Sequence, residues 1–214
     1  MKNKIKFLII CGLCFIVVDT FGQSFDKKGL TEICQTIRSI DPEDEDYQDL
    51  GFLKKDLNGV DIVLLGEQGH GDGSTFAAKS RLVKFLHQEM DFDVLVFESS
   101  ILDCQIAWNE IKAGSDPYES FGKGVFKFWA VSKYTTELIR YLGEQSQTPD
   151  PLLFAGFDMQ FSGMMDFKER AKVIKEFLKQ GPAGVQLENL PHIKEYMENP
   201  YRFFKPKALL DVDS

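Results

Sequence analysis

Asp61-Ile62-Val63-Leu64-Leu65-Gly66-Glu67-Gln68-Gly69-His70-Gly71-Asp72-Gly73-Ser74 runs from an apolar stretch straight into a glycine-rich loop. Four consecutive apolar residues, two of them β-branched, suit a strand buried on both faces, as in a parallel α/β sheet. The glycines that follow let the backbone turn sharply at the strand's carboxyl end. Glu67 and His70 stand three positions apart in that loop. Ligands of open α/β sheets bind outside the carboxyl ends of the strands, so chemistry is expected here first.

Working outward, a helix is expected from about Ser74 to Met90, with Phe76, Leu82, Val83, Phe85 and Leu86 as its apolar positions and Ser74 or Thr75 as its cap. Asp93-Val94-Leu95-Val96-Phe97-Glu98 reads as a second buried strand, with a helix following from about Leu102 to Ala113. Leu152-Leu153-Phe154-Ala155-Gly156-Phe157 reads as a third strand, after a helix over 130–147. A last helix is expected over 166–180. The alternation predicts an α/β fold with a mainly parallel sheet and flanking helices. Before the first strand, Leu30, Ile33, Cys34, Ile37 and Ile40 fall at helical spacing, and Asp46 to Leu57 gives a weaker helical stretch. Beyond Gln180 the pattern fails, because Pro182, Pro191, Pro200 and Pro206 interrupt a segment rich in aromatic residues. Three recognisable strands are few for 214 residues, so the sheet reads as incomplete.

The organisation that follows is a signal peptide over 1–22, a helical segment over 23–58, a partial α/β core over 59–181 and an irregular or helical tail over 182–214. Lys2, Lys4 and Lys6 precede the apolar run Phe7–Val18, the pattern of a secretory leader too short to span a membrane comfortably. Thr20 and Gly22 meet the small-residue cleavage rule loosely, which leaves an uncleaved anchor as the alternative. An exported chain, periplasmic or secreted, is the expectation. Removing residues 1–22 takes away three lysines and Asp19, which moves the net charge from −8 to −10. So acidic a chain makes nucleic acid an unsuitable partner and argues against a polyanionic substrate. With the leader gone, no membrane partner is expected. Cys34 and Cys104 then remain, in a compartment that permits disulfides. They are too sparse for a zinc motif, and either pairing or burial as small apolar residues fits them.

Each strand ends in an acid: Glu67 just after the first, Glu98 closing the second, Asp158 closing the third. Right-handed parallel crossovers put these ends on one rim. With His70 in the first loop, the rim holds the groups needed to deprotonate a water that attacks an acyl carbon, a base and carboxylates to orient it. A lone acid at a strand end is more often a helix cap or a solvated residue, and this applies to Glu98 and Asp158 singly. Glu67 with His70 is different, since a charged pair in a glycine loop has little packing purpose. His87 and His192 read as surface histidines. No G-x-S-x-G occurs, and Ser99, Ser100 and Cys104 lack an elbow signature, which speaks against a covalent acyl-enzyme. Gly69-x-Gly71 only loosely imitates a dinucleotide fingerprint, because Glu67 and Asp72 would face the pyrophosphate. No cofactor is expected. A weak, oxygen-rich divalent metal site made from Glu67, His70, Glu98 and Asp158 stays open as a rival.

Val63-Leu64-Leu65-Gly66-Glu67-Gln68-Gly69-His70-Gly71, with Phe92–Glu98 and Phe154-Ala155-Gly156-Phe157-Asp158-Met159-Gln160, resembles the erythromycin esterase family over about residues 30–180. The likeness takes in Phe128-Trp129 and the helix Glu137–Leu142. It implies hydrolysis of an ester or macrolide lactone, and hence a role in the response to antibiotics, with His70 as base on water and Glu67 as its acidic partner. Glu98, Asp158 and Lys79 would support them, Lys79 standing where many members place an arginine. Members are longer and carry a second histidine motif without counterpart before Ser214, so the chain reads as an amino-terminal portion or shortened member, with an inactive truncated chain as one form of that expectation. The wider superfamily shares a similar G-E-x-H start with haem-binding uptake proteins, which makes haem or small-ligand binding without catalysis the alternative.

Overall fold

The computed structural model describes residue 29 and residues 34–66, 69–161 and 163–180. The expected leader, the tail with His192, and Glu67 of the loop lie outside them. Contacts divide the chain into Met1–Ile37 and Arg38–Ser214, and every element below belongs to the second unit.

A 3-10 turn (Gln48–Leu50) and a short helix α1 (Leu53–Asp56) lead to the long helix α2 (Gly73–Met90). Strand β1 (Val94–Ser100), helices α3 (Ile101–Lys112), α4 (Pro117–Gly124), α5 (Lys127–Ala130) and α6 (Thr136–Gln145), strand β2 (Leu153–Asp158) and helix α7 (Phe167–Gln180) follow. Among the described residues β1 and β2 form one two-stranded parallel sheet, Val94 opposite Leu153 and Phe97 opposite Gly156. The expected α/β class with an incomplete parallel sheet is what is observed. No helix of the described residues is long and apolar enough to cross a membrane.

Aromatic packing sets the layering. Phe97 of β1 meets Phe121 of α4 at 5.3 Å, Trp129 of α5 at 5.3 Å and Phe154 of β2 at 5.9 Å between ring centroids. Cys104, Ala107, Trp108 and Ile111 of α3 and Leu138, Ile139 and Leu142 of α6 complete this core. Burial of each large side chain contributes about 1.5–3 kcal/mol. Gly156 is required by the close approach of the strands, since a Cβ there would lie 2.4 Å from the Ser99 carbonyl oxygen. The register slips nearby, between Phe97 and Ser100.

Two expectations about the sheet are corrected. Residues 61–66 are not strand: no ladder of hydrogen bonds joins them to β1 or β2 among the described residues. Their burial still alternates, Val63 and Leu65 packing inward while Ile62 and Leu64 are 74% and 88% exposed. The strands are also not buried on both faces. Val94, Val96 and Phe157 are exposed because the helices described here cover one face only.

The helices depart from expectation where side chains capture backbone groups. No helix forms over 34–40, for Arg38 and Ser39 donate their amides to the Asp49 carboxylate at 2.7 and 3.4 Å instead of to carbonyls of a preceding turn. The stretch 46–57 breaks at Gly51 into the 3-10 turn and α1. Of the helix expected over 130–147, α6 forms; residues 131–135 are instead a turn after α5, which Thr135 closes by donating its hydroxyl to the Trp129 carbonyl at 2.6 Å. Helix α4 has no counterpart in the sequence reading, although Asp116 before Pro117 is a start signal; its carboxylate accepts from the Tyr118 and Glu119 amides.

Buried charges are paired. Arg81 of α2 makes a two-bond fork with Asp49 and donates to the carbonyls of Ser39, Asp44 and Asp46. One turn on, Lys84 donates to the Pro42 carbonyl and bridges Glu137 and Glu45. Asp103 of α3, fully buried, receives a fork from Arg170 of α7, both bonds at 2.8 Å. Cys34 and Cys104 are both free thiols, Cys34 exposed and Cys104 buried.

Removing one partner of a buried pair strands the other charge. Asp103→Ala is expected to destabilise the fold by about 3–5 kcal/mol, read as a lowered urea midpoint. The Arg81 fork, opposed by burial, holds the Asp49 carboxyl well below its ordinary 3.8. A depressed folded-state pKa contributes stability above the unfolded value that is lost as the pH falls through the folded one. Melting temperature is therefore expected to drop as the pH is taken below 3.8, and Asp49→Asn to flatten that decline.

Candidate functional site

The loop after residue 66 delivers His70 to the start of α2, and the helix is capped by the residue two positions further on. Asp72 accepts from the Ser74 and Thr75 amides at 3.1 and 3.3 Å and from the Thr75 hydroxyl at 2.6 Å. These bonds lower its pKa, the Thr75 hydroxyl most. Asp72, not Ser74 or Thr75, is the cap. The signal was in the sequence, since aspartate is a stronger cap than threonine and stands three residues ahead of Thr75.

The His70 ring lies against Phe128 at the end of an aromatic series. Its centroid is 4.4 Å from that of Phe128 with the planes at 30°. Phe128 in turn contacts Trp129 at 4.6 Å and stacks on Phe126 at 5.5 Å. Trp129 reaches Phe97 in the sheet. The same segment touches the loop a second time: a Cβ on Gly73 would lie 2.0 Å from the Tyr134 ring, so only glycine fits there unless the ring moves. Tyr134 is tied back to α2 by its carbonyl, which accepts from the Ser80 hydroxyl at 3.2 Å.

The carboxyl ends of β1 and β2 share one rim because the strands are parallel, with Ser100 in register with Asp158. Glu98 is exposed, in line with Val94 and Val96. Asp158 is half-buried and accepts from the Gln160 amide at 2.9 Å, which closes a turn after β2. The Phe126 amide donates to Ser99 on this rim at 3.3 Å, which joins the segment under His70 to the end of β1. Lys79 lies about two turns into α2, its ammonium 5.9 Å from the Phe76 ring centroid. The structure thus gathers Glu98 and Asp158 on one rim and links His70 to it through Phe126 and Phe128. Phe128, Tyr134 and Asp72 are the residues of this site that sequence reasoning did not assign.

Neighbouring reactive groups are structural. Ser99 and Ser100 are buried, and Ser100 caps α3 by accepting from the Asp103 amide. Burial pushes the Cys104 thiol up to about 12, which removes its nucleophilic form near neutrality. His87 is corrected from a surface histidine to a half-buried one, 2.6 Å from the Tyr141 hydroxyl, and burial lowers its pKa. Among the described residues no group of three His, Cys, Asp or Glu stands close enough to hold a metal ion.

No protein-family model matches the chain. A Bacillus subtilis (strain 168) protein named "Putative hydrolase YbfO" is 37% identical over 121 residues, which is 56% of this chain and 27% of that protein. In fold, the chain is similar to a Bacillus cereus protein of known crystal structure, with TM-score 0.60 and 22% identity over 80% of this chain and 40% of that one. It is similar also to the crystal structure of a succinoglycan biosynthesis protein, with TM-score 0.59 and 23% identity over 85% and 44% of the two chains. The chain spans less than half the length of each of these relatives.

Loss of the cap should loosen the loop that carries His70. Asp72→Ala is expected to cost about 1 kcal/mol. Amide exchange over Gly73–Phe76 should quicken more than exchange at the centre of α2.

Proposed function

We propose that the chain contributes the amino-terminal side of a hydrolase site of erythromycin esterase type, with His70 activating a water for attack on an ester or lactone carbonyl. The observation that carries this reading is the placement of His70: an exposed imidazole held on Phe128 in a glycine loop tied to the carboxyl rim of a parallel sheet. The sequence likeness to a protein named as a hydrolase supports the reaction class.

In this reading the imidazole takes the proton of the attacking water, and Glu67, three residues before it, holds the ring's tautomer and stabilises its charged form. Glu98 and Asp158 place negative charge along the rim, where they orient the water and the cation that forms. Lys79 supplies a positive charge beyond the loop for a carbonyl or carboxylate group of the substrate. A charge on a lysine lacks the fork of arginine, so it attracts such a group without fixing its plane. No serine or cysteine takes part, consistent with the buried, engaged state of Ser99, Ser100 and Cys104.

A general base contributes about 10²–10⁴ to rate. His70→Ala is expected to lower hydrolysis of p-nitrophenyl acetate or opening of a macrolide lactone by the purified chain at least about 10²-fold. Equal rates for the two proteins, or no turnover by the unaltered chain, would overturn this reading.

A further inference from the structure

We propose that Phe128 is a positioning residue of His70, fixing the imidazole by tilted ring-on-ring contact so that its ring nitrogens keep one direction relative to the sheet rim. The proposal deepens the hydrolytic reading, and its kinetic part rests on that reading.

Glycines flank the histidine at positions 69 and 71, and a backbone so permissive does not hold a side chain by itself. The tilted stack on Phe128 bears on the ring from an element outside the loop. Phe128 is itself held from two sides, by Phe126 at 5.5 Å and Trp129 at 4.6 Å. The short helix bearing it is anchored by the Phe126 amide on Ser99 and by the Thr135 hydroxyl on the Trp129 carbonyl. Tyr134, from the same segment, lies against Gly73 and so limits the loop on its other side. The His70 ring therefore ends a continuous series of rings, Phe154, Phe97, Trp129 and Phe128, that begins in the core. Orientation passes outward along it. Phe128 touches neither water nor substrate in this scheme and acts only through the imidazole.

The test uses the whole chain, whose three histidines give a simple ring-proton NMR spectrum, with the His70 signals assigned by their loss in His70→Gln. The unaltered protein should show through-space cross-peaks between the His70 and Phe128 rings, and the ring current of Phe128 should displace the His70 signals. Phe128→Leu should remove that displacement, and Phe128→Tyr, which keeps the aromatic face, should restore it. Misplacing a catalytic group by about 1 Å costs about 10²-fold, so Phe128→Leu should lower kcat by up to about 10²-fold while KM stays within about twofold, with Phe128→Tyr recovering most of the loss. Absent cross-peaks in the unaltered protein, or His70 signals unmoved by Phe128→Leu, would overturn the proposal. Cross-peaks and displacement in a protein without hydrolytic turnover would support the positioning role and reject the hydrolytic reading alone.

Discussion

Phe97 is where the two kinds of layer meet. Its ring touches Phe121, Trp129 and Phe154, so one side chain of β1 joins the neighbouring strand to α4 and α5. Aromatic pairs in edge-to-face geometry add about 0.5–1.5 kcal/mol each beyond the area they bury. Because Phe97 points to the covered face, its neighbours Val96 and Glu98 point to the other, and the helices stand where they must to meet it. The position of α5 then decides where Phe128 lies, and the His70 ring rests against Phe128. The candidate site is an outgrowth of core packing.

Charge works beside this packing at the other end of α2. Arg81 and Lys84 are buried on a helix whose other buried residues are apolar apart from Ser80, and each meets carbonyls and carboxylates of the segment from Ser39 to Asp49. Burial of a guanidinium is tolerated only when its donors are satisfied, and five bonds to Arg81 do this. The acidic segment before α1 is thus the socket of a basic helix face. The fork between Asp103 and Arg170 repeats the device elsewhere, where it fastens α7 to α3.

Much of the fold was legible because it rests on local rules. The span of α2 follows from its apolar spacing, and β1 and β2 follow from short apolar runs that alternate with helices. What could not be read was which polar side chains would compete for backbone groups. Asp49 takes the amides of Arg38 and Ser39, and Thr135 closes the turn that delays the helix expected over 130–147 to Thr136; both choices turn on which acceptor a polar group finds. The stretch 61–66 shows the same limit from the other side. Its alternating burial is that of a strand, but a strand is defined by a neighbour, and none is hydrogen-bonded to it among the described residues.

The sequence by itself determined the α/β class, the parallel order of β1 and β2, and the glycine loop that presents His70, because hydrophobic period and backbone permissiveness are properties of neighbouring residues. It also placed Glu98 and Asp158 at strand ends, and parallel connection puts such ends together. Only the tertiary structure decided that the described helices cover one face of the sheet, that Asp158 closes a turn, and that the imidazole lies against Phe128. Those facts join residues 58 positions apart or on separate elements, and no local pattern encodes which ring will meet which once the core has closed.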